Sequence, residues 1–106
     1  MIDALDVEHH FGGGTYCKLA LLPANHVFEQ HRHKFDHLSS LCQGEADVTV
    51  DGQTERYIGP AVLTIAANKV HSVRTYTPVV WACIHATAET DPENIDHELV
   101  AESNPA

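Results

Sequence analysis

From Tyr16 to Ala86 apolar residues recur at alternate positions in short stretches broken by turn-forming residues, and no stretch sustains a 3.6-residue period. Tyr16 to Leu22 runs into Pro23-Ala24-Asn25. Glu45 to Val50 alternates with Ala46, Val48 and Val50 on one face, and Asp51-Gly52 offers the positive φ angles of a two-residue hairpin turn before a return strand, Gln53 to Ile58. Gly59-Pro60 ends that strand, and further strands are expected over Val62 to Ala66, Val70 to Tyr76 and Val79 to Ala86. The last is apolar on both faces, which suits the centre of a sandwich or cover by a partner subunit. Many short strands at this spacing predict an all-β fold, a small antiparallel β-barrel or sandwich.

A chain of 106 residues with 43% hydrophobic content has enough for one core and too little for two. The formal charge of -9 leaves no basic footprint, so nucleic acid and anionic membrane are excluded as partners. No apolar run approaches the roughly 20 residues of a membrane span, and the start lacks the basic-then-apolar build of a signal peptide. The expected location is the cytoplasm. Cys17, Cys42 and Cys83 form no Cys-x-x-Cys pair, so neither a disulfide framework nor a thiolate zinc site is indicated. All of the net charge lies in the ends. Residues 1–14 hold Asp3, Asp6 and Glu8, residues 88–106 hold six acids, and neither end holds a Lys or Arg. The expected organisation is therefore a flexible N-terminal segment or extra strand over 1–14, with Phe11-Gly12-Gly13-Gly14 as a hinge, a barrel over 15–87, and an acidic tail over 88–106. In that tail Thr90 or Asp91 can cap a short helix with Pro92 in its first turn and Ile95 and Leu99 four apart.

Nine histidines, one more than the leucines, need a reason. His31-Arg32-His33 puts two imidazoles at i and i+2, which on a strand aims both to one face. If Lys34-Phe35-Asp36 turn the chain, His37 lands on the adjacent strand beside them. Converging imidazoles make a site for Zn, Cu, Fe or Ni. The competing reading is a solvated surface loop, and the irregular spacing argues against it.

These residues resemble the first cupin motif, a Gly, five residues, His-x-His, three or four residues, Glu, six residues, Gly. Asn25 stands at the first Gly, His31 and His33 fit, His37 takes the Glu place, and Gly44 fits. The second motif is matched more loosely, by Gly59-Pro60, then Ala66 and Asn68 in place of Pro and Gly, then His71, with Thr75 where the family often has Asn. The resemblance implies a double-stranded β-helix (jelly-roll) holding one divalent transition metal, Fe, Ni, Mn, Zn or Cu, on His31, His33, His37 and His71. Asn25 and Asn68 tolerate the left-handed backbone that the Gly positions need. His37 in place of the Glu leaves a divalent ion its full charge, which makes it a stronger Lewis acid and a better host for an anionic ligand. A three-histidine site without His37 is the alternative.

Other residues are weighed on their own positions. Glu29 shares the parity of His31 and His33 and could enter the barrel as a carboxylate near the metal, though such a Glu more often pairs with a neighbour such as Arg32 or Lys18. His85 shares a face with Trp81 and Cys83 and is either a core histidine or a lining acid/base. Tyr16, Tyr57 and Tyr76 each could offer a phenol, and Cys83 is a buried hydrophobe or an approach to the metal. His26 reads as a turn or outer-shell residue, Arg74 as outward-facing, and His9, His10 and His97 as solvated. The functional expectation is a metal-dependent enzyme, dioxygenase-like or isomerase/lyase-like, acting on a small molecule, with an anionic one favoured. A metal- or metabolite-sensing module is the alternative, and a purely structural protein a third. The doubly apolar last strand and the small core also predict a homodimer.

Overall fold

Turn chemistry sets the frame. A computed structural model of the chain describes residues 6–30 and 35–88. They form nine strands: β1 (Asp6–Gly12), β2 (Thr15–Leu22), β3 (Val27–Gln30), β4 (His37–Gln43), β5 (Glu45–Val50), β6 (Gln53–Ile58), β7 (Ala61–Ile65), β8 (His71–Thr75) and β9 (Val79–Ala86). Asp51 and Gly52 both have positive φ, 52° and 84°, and close the β5–β6 hairpin in the register Val50 opposite Gln53. Asn25 and Asn68 each sit at φ 62°, the left-handed conformation their motif positions require. Gly13 and Gly14, at φ 59° and 72°, form a second two-residue turn that pairs Gly12 with Thr15. The glycine run is thus a hairpin corner and no hinge, and the N-terminal segment is a strand from Asp6 onward.

The strands fold into two antiparallel sheets, one of five strands in the order β1-β2-β9-β4-β7 and one of four in the order β3-β8-β5-β6. Their inner faces make a single core in which Leu41, Val79 and Trp81 from the first sheet meet Phe28, Ala46, Val48 and Val73 from the second. The Trp81 indole N–H is satisfied inside that core by Cys83 Sγ at 3.2 Å. β9 is apolar on both faces because it is central, with β2 and β4 on either side.

The turn after β3 does more than the sequence suggested. β3 belongs to the four-stranded sheet and β4 to the five-stranded one, so the chain crosses the sandwich between Gln30 and His37. His37 therefore opens a strand in the facing sheet, where an adjacent strand was expected. The His31 and His33 pair lies outside the described residues, as does the expected C-terminal helix. Among the described residues no helix is long and apolar enough to cross a membrane.

The outer face of the four-stranded sheet is charged and internally matched. Arg56 donates to Asp47 and, at 2.7 Å, to Glu45, while its guanidinium lies 4.0 Å above the Tyr76 ring and the Tyr76 hydroxyl donates to Asp47 at 2.6 Å. The Arg56 hydrogen bond, then that of Tyr76, holds the Asp47 carboxyl below its ordinary 3.8. A carboxyl depressed in the folded state contributes stability above its unfolded value and loses it as pH falls through the folded value. Asp47→Asn should therefore show a shallower fall in melting temperature than the wild type between about pH 4 and pH 2. Parallel curves over that range would refute this.

Candidate functional site

Sheet register lines up one row of side chains at one end of the five-stranded sheet. Tyr16 on β2 faces His85 on β9, Ile84 beside it faces Leu38 on β4, and His37 at the start of β4 faces Ile65 on β7. Alternation turns Tyr16, His85, His37 and Ile65 inward together, and all four are buried. Across the interior, His71 opens β8 on the inward face that Val73 and Thr75 share, with 1% of its surface exposed.

Three buried imidazoles result. The His37 and His71 ring centroids are 5.9 Å apart and their planes are inclined by 49°. Two rings that share one ion, with bonds of about 2.1 Å, keep their centroids within about 6.5 Å, so this pair fits a shared metal. His85 is placed differently. Its ring lies 4.3 Å from that of His37 with the two planes inclined by 27°, a stacked arrangement. That geometry supports the His37 ring.

Burial favours the neutral form of His71 and His85. It lowers the His71 pKa, with a hydrogen bond from the ring to the Lys69 backbone working the other way, and it lowers that of His85 to about 4, aided by His71 and Lys18. Neutral imidazole is the metal-binding form. Among the described residues no group of three or more His, Cys, Asp or Glu is placed to hold a metal. His37 and His71 are the two candidate ligands that fall within the described residues, and His31 and His33, the other two candidates, lie outside them. β3 ends at Gln30, whose backbone pairs with that of His71, so His31 is the next residue along the chain from that pairing.

Tyr16 is the phenol that lines this end. It is buried beside His85, with centroids 6.3 Å apart, and its hydroxyl shares a 2.8 Å hydrogen bond with His9 Nδ1. The other two tyrosines are engaged elsewhere, Tyr57 with Glu55 and Tyr76 with Asp47. His9 was expected to be merely solvated. It is exposed, yet it connects the buried phenol to the surface, and the signal for this was the Gly13-Gly14 turn that folds β1 back on β2. Lys18, another residue the sequence did not flag, has the inward parity of Tyr16 and Ala20, stands opposite Cys83, and keeps an exposed side chain.

The remaining candidates separate. Glu29 pairs opposite Ser72 and is exposed on the outward face of the four-stranded sheet, because inward parity on β3 belongs to Phe28. Cys83 is buried, and burial pushes its thiol up, so it stays a protonated core group beside Trp81 and Ser39. His26 serves its turn through a 2.7 Å hydrogen bond between Nδ1 and the Ala24 carbonyl. Arg74 is exposed, as its parity required. Thr75, where the resembled family often has Asn, ties the β2–β3 turn to β8. Its hydroxyl donates to the Pro23 carbonyl at 2.6 Å and accepts the His26 N–H at 3.1 Å.

Two facing antiparallel sheets with histidines opposed across one end define a small jelly-roll domain of the double-stranded β-helix kind. The fold is that of the cupin superfamily. It is similar to a cupin superfamily protein from Desulfitobacterium hafniense, at 20% identity over 82% of this chain and 83% of that one, with a TM-score of 0.65. The Cnp3 cupin domain of Schizosaccharomyces pombe gives 17% identity, 91% and 74% coverage and a TM-score of 0.68. The cupin_2 domain of an XRE family transcriptional regulator from Enterobacter cloacae gives 18% identity, 77% and 95% coverage and a TM-score of 0.66. No family model and no curated protein matches the sequence.

Proposed function

We propose that this cupin domain binds one divalent transition metal, Fe, Ni, Mn, Zn or Cu, through His37 and His71 together with His31 and His33, and acts on a small anionic molecule. The observation that carries the reading is the pair of buried imidazoles from facing sheets with centroids 5.9 Å apart. When bound, the ion supplies Lewis acidity, and a redox-active one adds electron transfer.

The chain's own residues set the surroundings. His85, kept neutral by burial, holds the His37 ring by stacking on it. Tyr16 keeps a proton at its hydroxyl, with the exposed His9 as the group through which that proton exchanges with water. Lys18 brings a positive charge to the inner side of β2, which favours a carboxylate or other anion over a cation. The cytoplasm, with its reducing poise, suits Cys17, Cys42 and Cys83, which hold no Cys-x-x-Cys spacing.

Metal quantitation on untagged protein, purified and then reconstituted with each ion in turn, tests the reading. About one equivalent per chain is expected. A protein that retains none of the five ions after reconstitution would sink it. A second reading, a non-catalytic module that senses a metal or metabolite, is favoured by the likeness to the cupin_2 domain of a transcriptional regulator. Tyr16→Phe separates the two, since loss of the phenol should slow turnover of a substrate and leave ligand binding by a sensor nearly unchanged.

A further inference from the structure

The outer faces of the two sheets are built from opposite materials. On the four-stranded sheet, Glu29, Glu45, Asp47, Arg56 and Arg74 point outward. On the five-stranded sheet, the outward positions of β2, β9, β4 and β7 carry no charged side chain, and Leu19, Leu21, Leu38, Val62, Val80 and Ile84 dominate them. Leu21, Leu38 and Val62 are 41%, 46% and 69% exposed. An antiparallel sheet with a solvated outer face normally alternates apolar-in and polar-out, and this one is apolar on both sides.

Charge argues for what covers it. The chain carries a net -9, so two copies that meet at random bring carboxylates together. The centre of this face is a surface on which they meet without doing so. Its acids, Asp6 and Glu8, sit on β1 at one margin of the sheet, where they stay in water. A face without cations is also a poor match for a polyanion or an anionic membrane.

Extent is that of a small interface. The four strands β2, β9, β4 and β7, about 4.8 Å apart and six residues long, span about 19 by 20 Å, on the order of 400 Å² in projection, and a ridged surface exposes more than its projection. A standard interface takes about 800 Å² from each partner.

We propose that two copies of this chain pair through the outer faces of their five-stranded sheets, packed face to face about a two-fold axis. The contact is isologous, so each residue of the patch meets the same patch on the other copy. Leu38, Val80 and Ile84 lie at its middle, with Leu19 and Leu21 to one side and Val62 to the other.

Light scattering and sedimentation equilibrium on the full chain test it. The wild type should run at twice the 11.6 kDa chain mass. Val62→Glu sets a carboxylate from each copy into the interface and should raise the dissociation constant at least ~100-fold. The side chain is already exposed, so folding should be intact by circular dichroism. Leu38→Lys repeats the test with the opposite charge, and Arg74→Glu on the other sheet should leave the dimer in place. A wild type that remains monomeric to about 100 μM, whether residues 89–106 or another partner covers the face, would overturn the proposal. So would a dimer that survives both Val62→Glu and Leu38→Lys, or one that Arg74→Glu dissolves.

Discussion

Gly44→Ala is expected to lower the melting temperature by about 15–30 °C. Gly44 links β4 to β5 at φ 106°, a conformation essentially restricted to glycine. A Cβ there would run into the Pro78 carbonyl oxygen and fall 2.8 Å from Val79 Cγ2 and 3.0 Å from Thr77 Oγ1. Two of these are fixed, because Pro78 is backbone and Val79 is 1% exposed at the start of the central strand. The Gly44 carbonyl also accepts from Gly59 N–H at 2.8 Å, which limits how far the corner can shift. Backbone strain of about 1–3 kcal/mol and overpacking of about 1–3 kcal/mol together put the loss near 4 kcal/mol. Gly13→Ala is the internal control. It has positive φ, 59°, and open space around the new methyl, so only strain of about 1–2 kcal/mol applies. Thermal melts of both variants decide the matter. If Gly44→Ala costs no more than Gly13→Ala, the close packing of this corner against Pro78 is not what holds it.

That glycine shows what the sequence made legible. Its place in the motif was readable from spacing, and so were Asn25 and Asn68, because a left-handed backbone restricts the residue types that can occupy it. β5, β6 and β9 were readable from alternation and from Asp51-Gly52, and their ends fall where that pattern placed them. β4 hid for a physical reason. It turns the polar His37 and Ser39 inward and the apolar Leu38 outward, which inverts the usual pattern. For residues 1–14 the sequence left a flexible segment and an extra strand both open, because Asp6 to His10 are all exposed and alternation has nothing to sort. β1 is a strand through backbone pairing with β2 across the Gly13-Gly14 turn. The site divides in the same way. His37 and His71 followed from motif spacing. The stacking of His85 on His37 and the approach of Tyr16 follow from register between strands distant in sequence, which no local pattern encodes. Glu29 is exposed opposite Ser72, on the face of β3 that the buried Phe28 does not share, so β3 does not carry it into the barrel.

Loss of either the His37 or the His71 ring is expected to weaken divalent-metal binding at least ~100-fold, and His85→Phe less than about tenfold. The contrast rests on how the three imidazoles are turned. His37 and His71 come from opposite sheets at a spacing one ion can bridge, whereas His85 lies flat against His37. A metal–nitrogen bond lies in the plane of the imidazole, so a ring that meets another ligand face to face directs its nitrogens away from the ion that ligand holds. Phe preserves the ring that supports His37 and removes the nitrogens, so it isolates stacking from ligation. His71→Gln and His37→Gln retain polar side chains and so limit the damage to folding. Thermal melts of the metal-free variants show how much stability each replacement removes on its own. Titration of Zn²⁺ and Co²⁺ into the full chain after chelator treatment reads the affinities, and added metal should raise the melting temperature of the wild type and of His85→Phe together. Equal affinities for wild type and His71→Gln would remove His71 from the ligand set. A loss for His85→Phe as large as that for His37→Gln would make His85 a ligand in its own right and overturn the assignment of its ring as a support.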